Sequence, residues 1–384
     1  MKSKKASSSP CAPSQSCGIL VCASGTGGHL LPALEIARAL KRMEPQTNIE
    51  FIGSGRPLEA TIIDTAGFKR HQISTVGLKR RGVLGALRFM VTLPKAICQV
   101  VRIFKECKPK LIIGVGGYVT FIPVSLARLK GIPTWIHEAE LKPGMANWVL
   151  SHYATKVSLA FSQAKMPAAA NTVVTGQPLR DELRAVAMEQ RQVLCPSRLL
   201  VMGGSQGARA LDGVVAELAD FIKEQGLEVW HQCRAESVDL LKAAYAAHQV
   251  TARVEQFISN MAEAYRFADV VVSRAGAGTV MELGALNIPA VLVPYPFAQG
   301  NHQQANAEIL AQAGKALIVE EGERFAERLK QALSQILEPS QYAHMRERAG
   351  PARPFEAAER IAKGCLKLVR HSLASSTGCS RGGI

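Results

Sequence analysis

The chain has 384 residues, 47 % of them hydrophobic and 20 % charged, with a formal net charge of +15. That length favours two ordinary domains, each able to bury a sizeable core. Arg, Lys or Glu interrupts every apolar run before the roughly 18 to 20 residues that a bilayer span needs, which excludes a transmembrane helix.

Residues 1–17, MKSKKASSSPCAPSQSC, are basic and Ser/Pro-rich without an apolar h-region. They read as a disordered tail rather than a secretion signal, so the bulk of the chain is expected in the cytosol. GILVCA at 18–23 predicts a strand that leads through SGTGG into a helix with Leu31, Leu34, Ile36, Ala37 and Leu40 on its apolar side. Residues 65–110 hold eleven Lys or Arg against one acid, Glu106, interleaved with Val83, Leu84, Leu87, Phe89, Met90, Val91 and Leu93. Such a surface suits an anionic membrane. On periodicity alone, an ordinary helix with a solvated face fits equally well. Nucleic acid fits less well, because neither a recognisable motif nor interleaved aromatics accompany the charge.

KLIIGV at 110–115 leads through GGY into a second helix, and TWIH at 134–137 through a Pro-Gly turn into a third. TGQPLR at 175–180 breaks the pattern, which then restarts. RLLVMGG at 198–204 opens into SQGARALDGVVAELADFI, and ADVVVSRAGAGTVMELGAL repeats the device. Alternating strands and helices imply parallel sheets with helices on both faces. The expected architecture is α/β, two doubly wound Rossmann-like domains facing across a cleft. An N-terminal domain at 18–175 precedes a C-terminal domain at 176–345. A C-terminal helix at 346–372 can pack back on the N-terminal domain, and 373–384 reads as a second disordered tail. A ligand would sit at the carboxyl ends of the strands, in the cleft.

GTGGH at 25–29 follows a strand and opens a helix, so its backbone N–H groups can approach a phosphate or sugar. It lacks both the GxGxxG spacing and a Walker lysine, which argues against a dinucleotide site or a P-loop. GGSQG at 203–207 makes the same offer in the second domain, with Ser205 able to donate to a phosphate oxygen. His29 is either a general base facing the cleft or a capping and packing histidine. Glu282 is either a favourable helix-start charge, with Thr279 as cap, or an acceptor for vicinal hydroxyls such as a ribose pair. Arg180 and Arg274 are phosphate partners or surface charges. No DxD pair occurs, so no metal and no other cofactor is expected, and helix termini, hydroxyls and arginine must stabilise a leaving diphosphate. The nine cysteines include no CxxC pair and no His/Cys cluster at ligand spacing, which fits scattered reduced thiols better than disulfides or a zinc site.

GTGGHLLPALEIA, IGVGGYV, HEAELKPGMAN, TGQPLR, GGSQGAR, WHQC, EQFISNMAEAY, ADVVVSRAGAGTVMEL and PYPFAQGNHQQANA occur in that order. From about residue 18 to 315 the chain thus resembles the MurG family. These enzymes transfer N-acetylglucosamine from UDP to undecaprenyl-diphospho-muramoyl-pentapeptide in peptidoglycan synthesis. The resemblance implies a GT-B fold, with the donor held mostly by the second domain and the lipid acceptor by the first. It also implies peripheral attachment to the cytoplasmic face of the membrane through the 75–93 stretch. Carried over by position, Thr26, Gly27 and Gly28 touch the donor and His29 is a candidate base. Arg180, Ser205 and Ile258 contact UDP-N-acetylglucosamine, with the backbone of Ile258 at the uracil. Ala277, Gly278, Thr279, Val280, Met281 and Glu282 wrap the diphosphate and ribose, and Gln303 reaches the sugar.

The family pattern HEQN reads HEAE here, so Glu140 replaces a donor-contacting asparagine. A carboxylate cannot donate as an amide does, and a diphosphate repels it. Either the contact is lost, or Asn147 takes it over, or Glu140 turns away. Ser24 and Arg234 also stand where the family has glycine. Two rival readings are a GT-B transferase for another lipid acceptor, such as diacylglycerol, and a UDP-sugar-binding protein without turnover.

Overall fold

The computed structural model describes residues 18–25, 27–74, 82–189, 193–204, 207–298, 301–347 and 354–378. Of the expected membrane stretch, residues 75–81 and the side chains of 82–91 lie outside the described residues, as does the tail 1–17.

The first unit runs β1 (Ile19–Cys22), α1 (Gly27–Met43), β2 (Ile49–Gly53), α2 (Pro57–Thr65), β3 (Lys69–Gln72) and α3 (Gly82–Cys107). It continues through β4 (Leu111–Gly114), α4 (Tyr118–Leu129), β5 (Thr134–Glu138), α5 (Met145–Leu150), β6 (Lys156–Leu159) and β7 (Thr172–Val174). After α6 (Glu182–Met188), the second unit holds β8 (Arg198–Met202), α7 (Arg209–Glu217), α8 (Ala219–Glu224), β9 (Glu228–Gln232), α9 (Val238–Ala247), β10 (Ala252–Glu255), α10 (Met261–Phe267) and β11 (Val270–Ser273). It closes with α11 (Ala277–Leu286), β12 (Ala290–Leu292), α12 (His302–Gln312), β13 (Ala316–Ile318), α13 (Phe325–Leu337) and α14 (Pro339–Glu347), before α15 (Ala357–Gly378).

Each unit is one all-parallel sheet. The first has strand order β3-β2-β1-β4-β5-β6-β7 and the second β10-β9-β8-β11-β12-β13. The central strands are continuous apolar runs because helices cover both faces; ILVC of β1 and VVVS of β11 are buried throughout. In both sheets the order reverses beside the first strand, between β1 and β4 and between β8 and β11. A doubly wound sheet offers its ligand crevice at that point, beyond the carboxyl ends of the strands. Those four strand ends carry the loops that contain Gly25, Gly116, Gly203 and Gly276.

The last helix returns to the first unit. Ala358, Ile361, Ala362 and Cys365 of α15 are buried in one apolar cluster with Ile36, Ala37 and Leu40 of α1 and with Trp135 of β5. Gly364 faces the Trp135 ring so closely that a Cβ there would lie 2.3 Å from it. Contrary to the tail expected from residue 373, α15 stays helical to Gly378; residues 379–384 lie outside the described residues. In the described part of α3, Ala96, Val100, Ile103, Phe104 and Cys107 form the buried stripe, while Lys95, Arg102 and Lys105 are exposed.

Candidate functional site

At the first reversal, Gly25 turns the chain with φ +102°, a conformation that favours glycine. Thr26 lies outside the described residues. Gly27 and Gly28 are the first two residues of α1, where backbone N–H groups have no partner within the helix. A carboxylate that the motif reading missed organises this turn. Glu59, fully buried at the start of α2, accepts from Gly25 N–H (3.3 Å), Ser54 N–H (2.7 Å), Ser54 Oγ (2.6 Å) and Gly55 N–H (2.8 Å). It thereby ties the β1–α1 loop to the β2–α2 loop.

His29 is half-buried one residue further on. Its imidazole rests on the β4–α4 turn: a Cβ added at Gly116 would lie 2.9 Å from Cε1, and Gly116 itself has φ +97°. The small residues of IGVGGYV therefore make room for the histidine that opens α1. Beneath it, His137 of β5 is fully buried, with Nδ1 3.0 Å from Ser158 Oγ and Nε2 2.9 Å from Gln177 Oε1. Burial pushes the His137 imidazole down to about 4; the Gln177 bond opposes this, and the charge of His29 adds to it.

Glu138 organises the loop that carries Glu140. Its carboxylate accepts from Glu140 N–H (2.9 Å), Gly144 N–H (3.1 Å) and Asn147 Nδ2 (3.1 Å), and burial pushes it up to about 7 against these bonds. Asn147 is buried and also donates to His137 O at 3.0 Å. Its amide N–H groups serve the loop from inside rather than the cleft. Glu140 points across to the second unit, where the buried Asn306 donates to its Oε2 at 2.8 Å and to Ala275 O at 3.3 Å. The substituted carboxylate thus reaches the AGAG turn through one amide.

In the second unit, Gly203 follows β8 so tightly that a Cβ would lie 2.6 Å from Ala208 N. Ser205 lies outside the described residues. Asp212 of α7, buried, accepts from Arg234 N–H at 3.2 Å, and the Arg234 guanidinium lies outward on Glu236. An arginine therefore fits where the family has glycine: its stem packs on Gly207, where an added Cβ would lie 2.2 Å from Arg234 Cγ, and its guanidinium turns outward to Glu236. Ile258 is buried with Met202, Trp230 and Val280.

Helix α11 begins at Ala277 with Gly276 as its cap, so Thr279 is the third helical residue and not the cap expected for it. Ala277, Val280 and Met281 are buried, Gly278 and Thr279 half-buried. Ala277 and Met281 share an apolar cluster with Leu179 and Phe161, so this helix is seated against the first unit. One turn and a half into α11, Glu282 is buried. Arg180 grips it with Nη2 at 2.7 Å from Oε1 and 2.8 Å from Oε2, and Tyr265 OH donates to Oε2 at 2.8 Å. Arg180 is hence no surface charge. Nor is Arg274, which donates to Val293 O at 3.2 Å, pairs with Glu321 and lies over the Tyr295 ring. Gln303, the second residue of α12, accepts from Tyr295 N–H at 2.9 Å.

Residues 19–159 match the Glycosyltransferase family 28 N-terminal domain, and residues 198–362 match the Glycosyltransferase family 28 C-terminal domain. The UDP-N-acetylglucosamine--N-acetylmuramyl-(pentapeptide) pyrophosphoryl-undecaprenol N-acetylglucosamine transferase of Desulfotalea psychrophila is 38 % identical over 357 residues, which cover 91 % of this chain and 96 % of that relative. The protein of the same name from Anaeromyxobacter sp. strain K is 36 % identical and covers 94 % of this chain and 96 % of its own length. The crystal structure of Acinetobacter baumannii MurG is similar with a TM-score of 0.72 at 31 % identity, over 91 % of this chain and 99 % of that one. The chain belongs to glycosyltransferase family 28, within its MurG family of GT-B enzymes.

Proposed function

We propose that the chain transfers N-acetylglucosamine from UDP-N-acetylglucosamine to the 4-hydroxyl of undecaprenyl-diphospho-N-acetylmuramoyl-pentapeptide, with inversion, as a step of peptidoglycan synthesis. The observation that carries this reading is the pair of sheet reversals, each ending in a glycine turn and a helix start, in a chain whose relatives bear that activity in their names. One turn offers a base and the other an anion cradle.

In this reading His29 takes the proton of the acceptor hydroxyl. The oxygen attacks the anomeric carbon from the face opposite the diphosphate, the new C–O bond forms as the carbon–phosphate oxygen bond breaks, and UDP leaves with the electron pair. The N–H groups of the Gly203–Gly207 loop, Ser205 and the start of α11 receive that charge. Glu282 takes the ribose hydroxyls. With both its oxygens bonded to Arg180 and Tyr265, a ribose must displace the guanidinium, which then turns to the diphosphate. Thr26, Gly27, Gly28, Ile258 and Gln303 complete the donor contacts, while Asn147 acts through the loop it holds. Positioning two bound reactants can lower the barrier by about 7–11 kcal/mol, so alignment in the cleft supplies most of the rate.

The enzyme works on the cytoplasmic face of the membrane, held peripherally through the basic 75–93 stretch and anionic lipid. In support, no helix among the described residues is long and apolar enough to cross a membrane. Radiolabelled donor offered to purified protein with either the muramoyl lipid or diacylglycerol tests the assignment. Label in the muramoyl lipid alone is expected, and label in diacylglycerol alone would replace this acceptor with the rival one.

A further inference from the structure

Glu50 is the one charged side chain in β2, whose five residues IEFIG are all buried. A carboxylate there must find partners or remain neutral. Its Oε2 meets His71 Nε2 from the edge strand β3 at 2.5 Å, and Cys107 Sγ from the last residue of α3 at 3.2 Å. The thiol and imidazole also face each other, with Sγ and Nε2 3.5 Å apart. Three ligand-type atoms from three separate elements thus converge within 4.8 Å. The cluster lies near the amino end of β2, at the edge opposite the crevice where the sheet reverses, and the transfer chemistry makes no use of it.

We infer that Glu50, His71 and Cys107 form a binding site for a borderline divalent metal, with zinc as the best-matched ion. With Zn–S near 2.3 Å and Zn–N or Zn–O near 2.0–2.1 Å, the edges of a tetrahedral site are about 3.3–3.6 Å. The S–N and S–O separations already have roughly that length. Only the His71–Glu50 edge must open, which follows when the proton between those groups is replaced by the ion. Binding releases the thiol proton, and the ring proton of the neutral imidazole sits on Nδ1, so that Nε2, a carboxylate oxygen and a thiolate face the ion. Asn48 Nδ2 donates to Glu50 Oε1 at 3.0 Å and orients the carboxylate from behind. Lys69 Nζ stands 3.4 Å from Oε2, but its side chain is 66 % exposed and free to swing into water. His71 is 12 % exposed on its side chain, and a cavity of about 650 Å³ reaches Glu50 and Asn48, its rim also carrying Lys69, Arg38, Lys41 and Arg42. A solvent water can therefore fill the fourth position. Thiolate and imidazole exclude magnesium and calcium as occupants.

Cobalt titration of the full-length, chelator-stripped, reduced protein tests the site. The expected result is a thiolate-to-cobalt charge-transfer band with four-coordinate visible bands, saturating at about one ion per chain, displaced by zinc. Cys107→Ser should abolish the charge-transfer band, and His71→Gln should weaken cobalt binding by about tenfold or more. Zinc should raise the Tm of the wild type and not of His71→Gln, an edge-strand change whose fold circular dichroism verifies. Absence of the band in the wild type, or an unchanged band in both Cys107→Ser and His71→Gln, would overturn the inference.

Discussion

Glu140 accepts from the buried Asn306 amide at 2.8 Å, and the same amide holds Ala275 O, so one side chain links the β5–α5 loop to the AGAG turn. A carboxylate at this position is thereby a positioning group between the units. Glu140→Ala and Asn306→Ala should each raise the KM for the sugar nucleotide, and the double variant should cost little more than the worse single. The expected coupling is about 1–2 kcal/mol, the order of a charge-assisted hydrogen bond. Strictly additive effects would show that the contact carries nothing. Next to it, His137 and Glu138 titrate in opposite senses. His137, lowered from the ordinary 6.5 to about 4, contributes stability that is full above 6.5 and lost as pH falls towards 4. Glu138, raised from 4.5 to about 7, contributes stability that is full below 4.5 and lost as pH rises through 7. Between them the two effects offset one another. In urea unfolding, the stability difference between wild type and His137→Gln should therefore grow by roughly 2–3 kcal/mol from pH 4.5 to 7. A pH-independent difference would contradict the buried, neutral histidine.

The strand, turn and helix units were legible because each repeats a local rule: an apolar run, small residues where the chain turns tightly, and an amphipathic helix. ILVC, LIIG, RLLVM and VVVS all fall where the apolar runs predict them. What holds the turns was not legible, since Glu59 reaches Gly25 across 34 residues and no local pattern announces such a contact. The helix cap shows the same limit: Thr279 has the right residue type, but Gly276 already supplies the extended conformation that a cap requires. Helix α15 has an apolar stripe that either unit could have accepted, and the deciding feature is Gly364, the flat spot that admits the Trp135 ring. Gly364→Leu should undock α15 at a cost of about 1–3 kcal/mol. The variant's C-terminal helix should become the first site cut in limited proteolysis, whereas unchanged cleavage would show that the docking tolerates a side chain there.

At the scale of the whole molecule, α11 belongs by sequence to the second unit and by packing to both, and α15 follows the second unit and rests on the first. The two sheets thus share helices as well as a cleft. The candidate site was readable where it is built from contiguous motifs: His29 in its glycine turn, and Ala277 to Glu282 in theirs. It was unreadable where residues meet only in space. Arg180 with Glu282 and Glu140 with Asn306 meet where the two units pack on each other, and Glu50 with His71 and Cys107 where β2, β3 and the end of α3 converge, none of them at a spacing the sequence announces. The most direct test is turnover of the muramoyl lipid by purified wild type and His29→Ala, each shown to bind the sugar nucleotide by calorimetry. The wild type should form the disaccharide lipid, and His29→Ala should bind donor normally with kcat lower by roughly 10²–10⁴. Donor binding without any transfer by the wild type would contradict the proposed activity, and undiminished kcat in His29→Ala would contradict the proposed base.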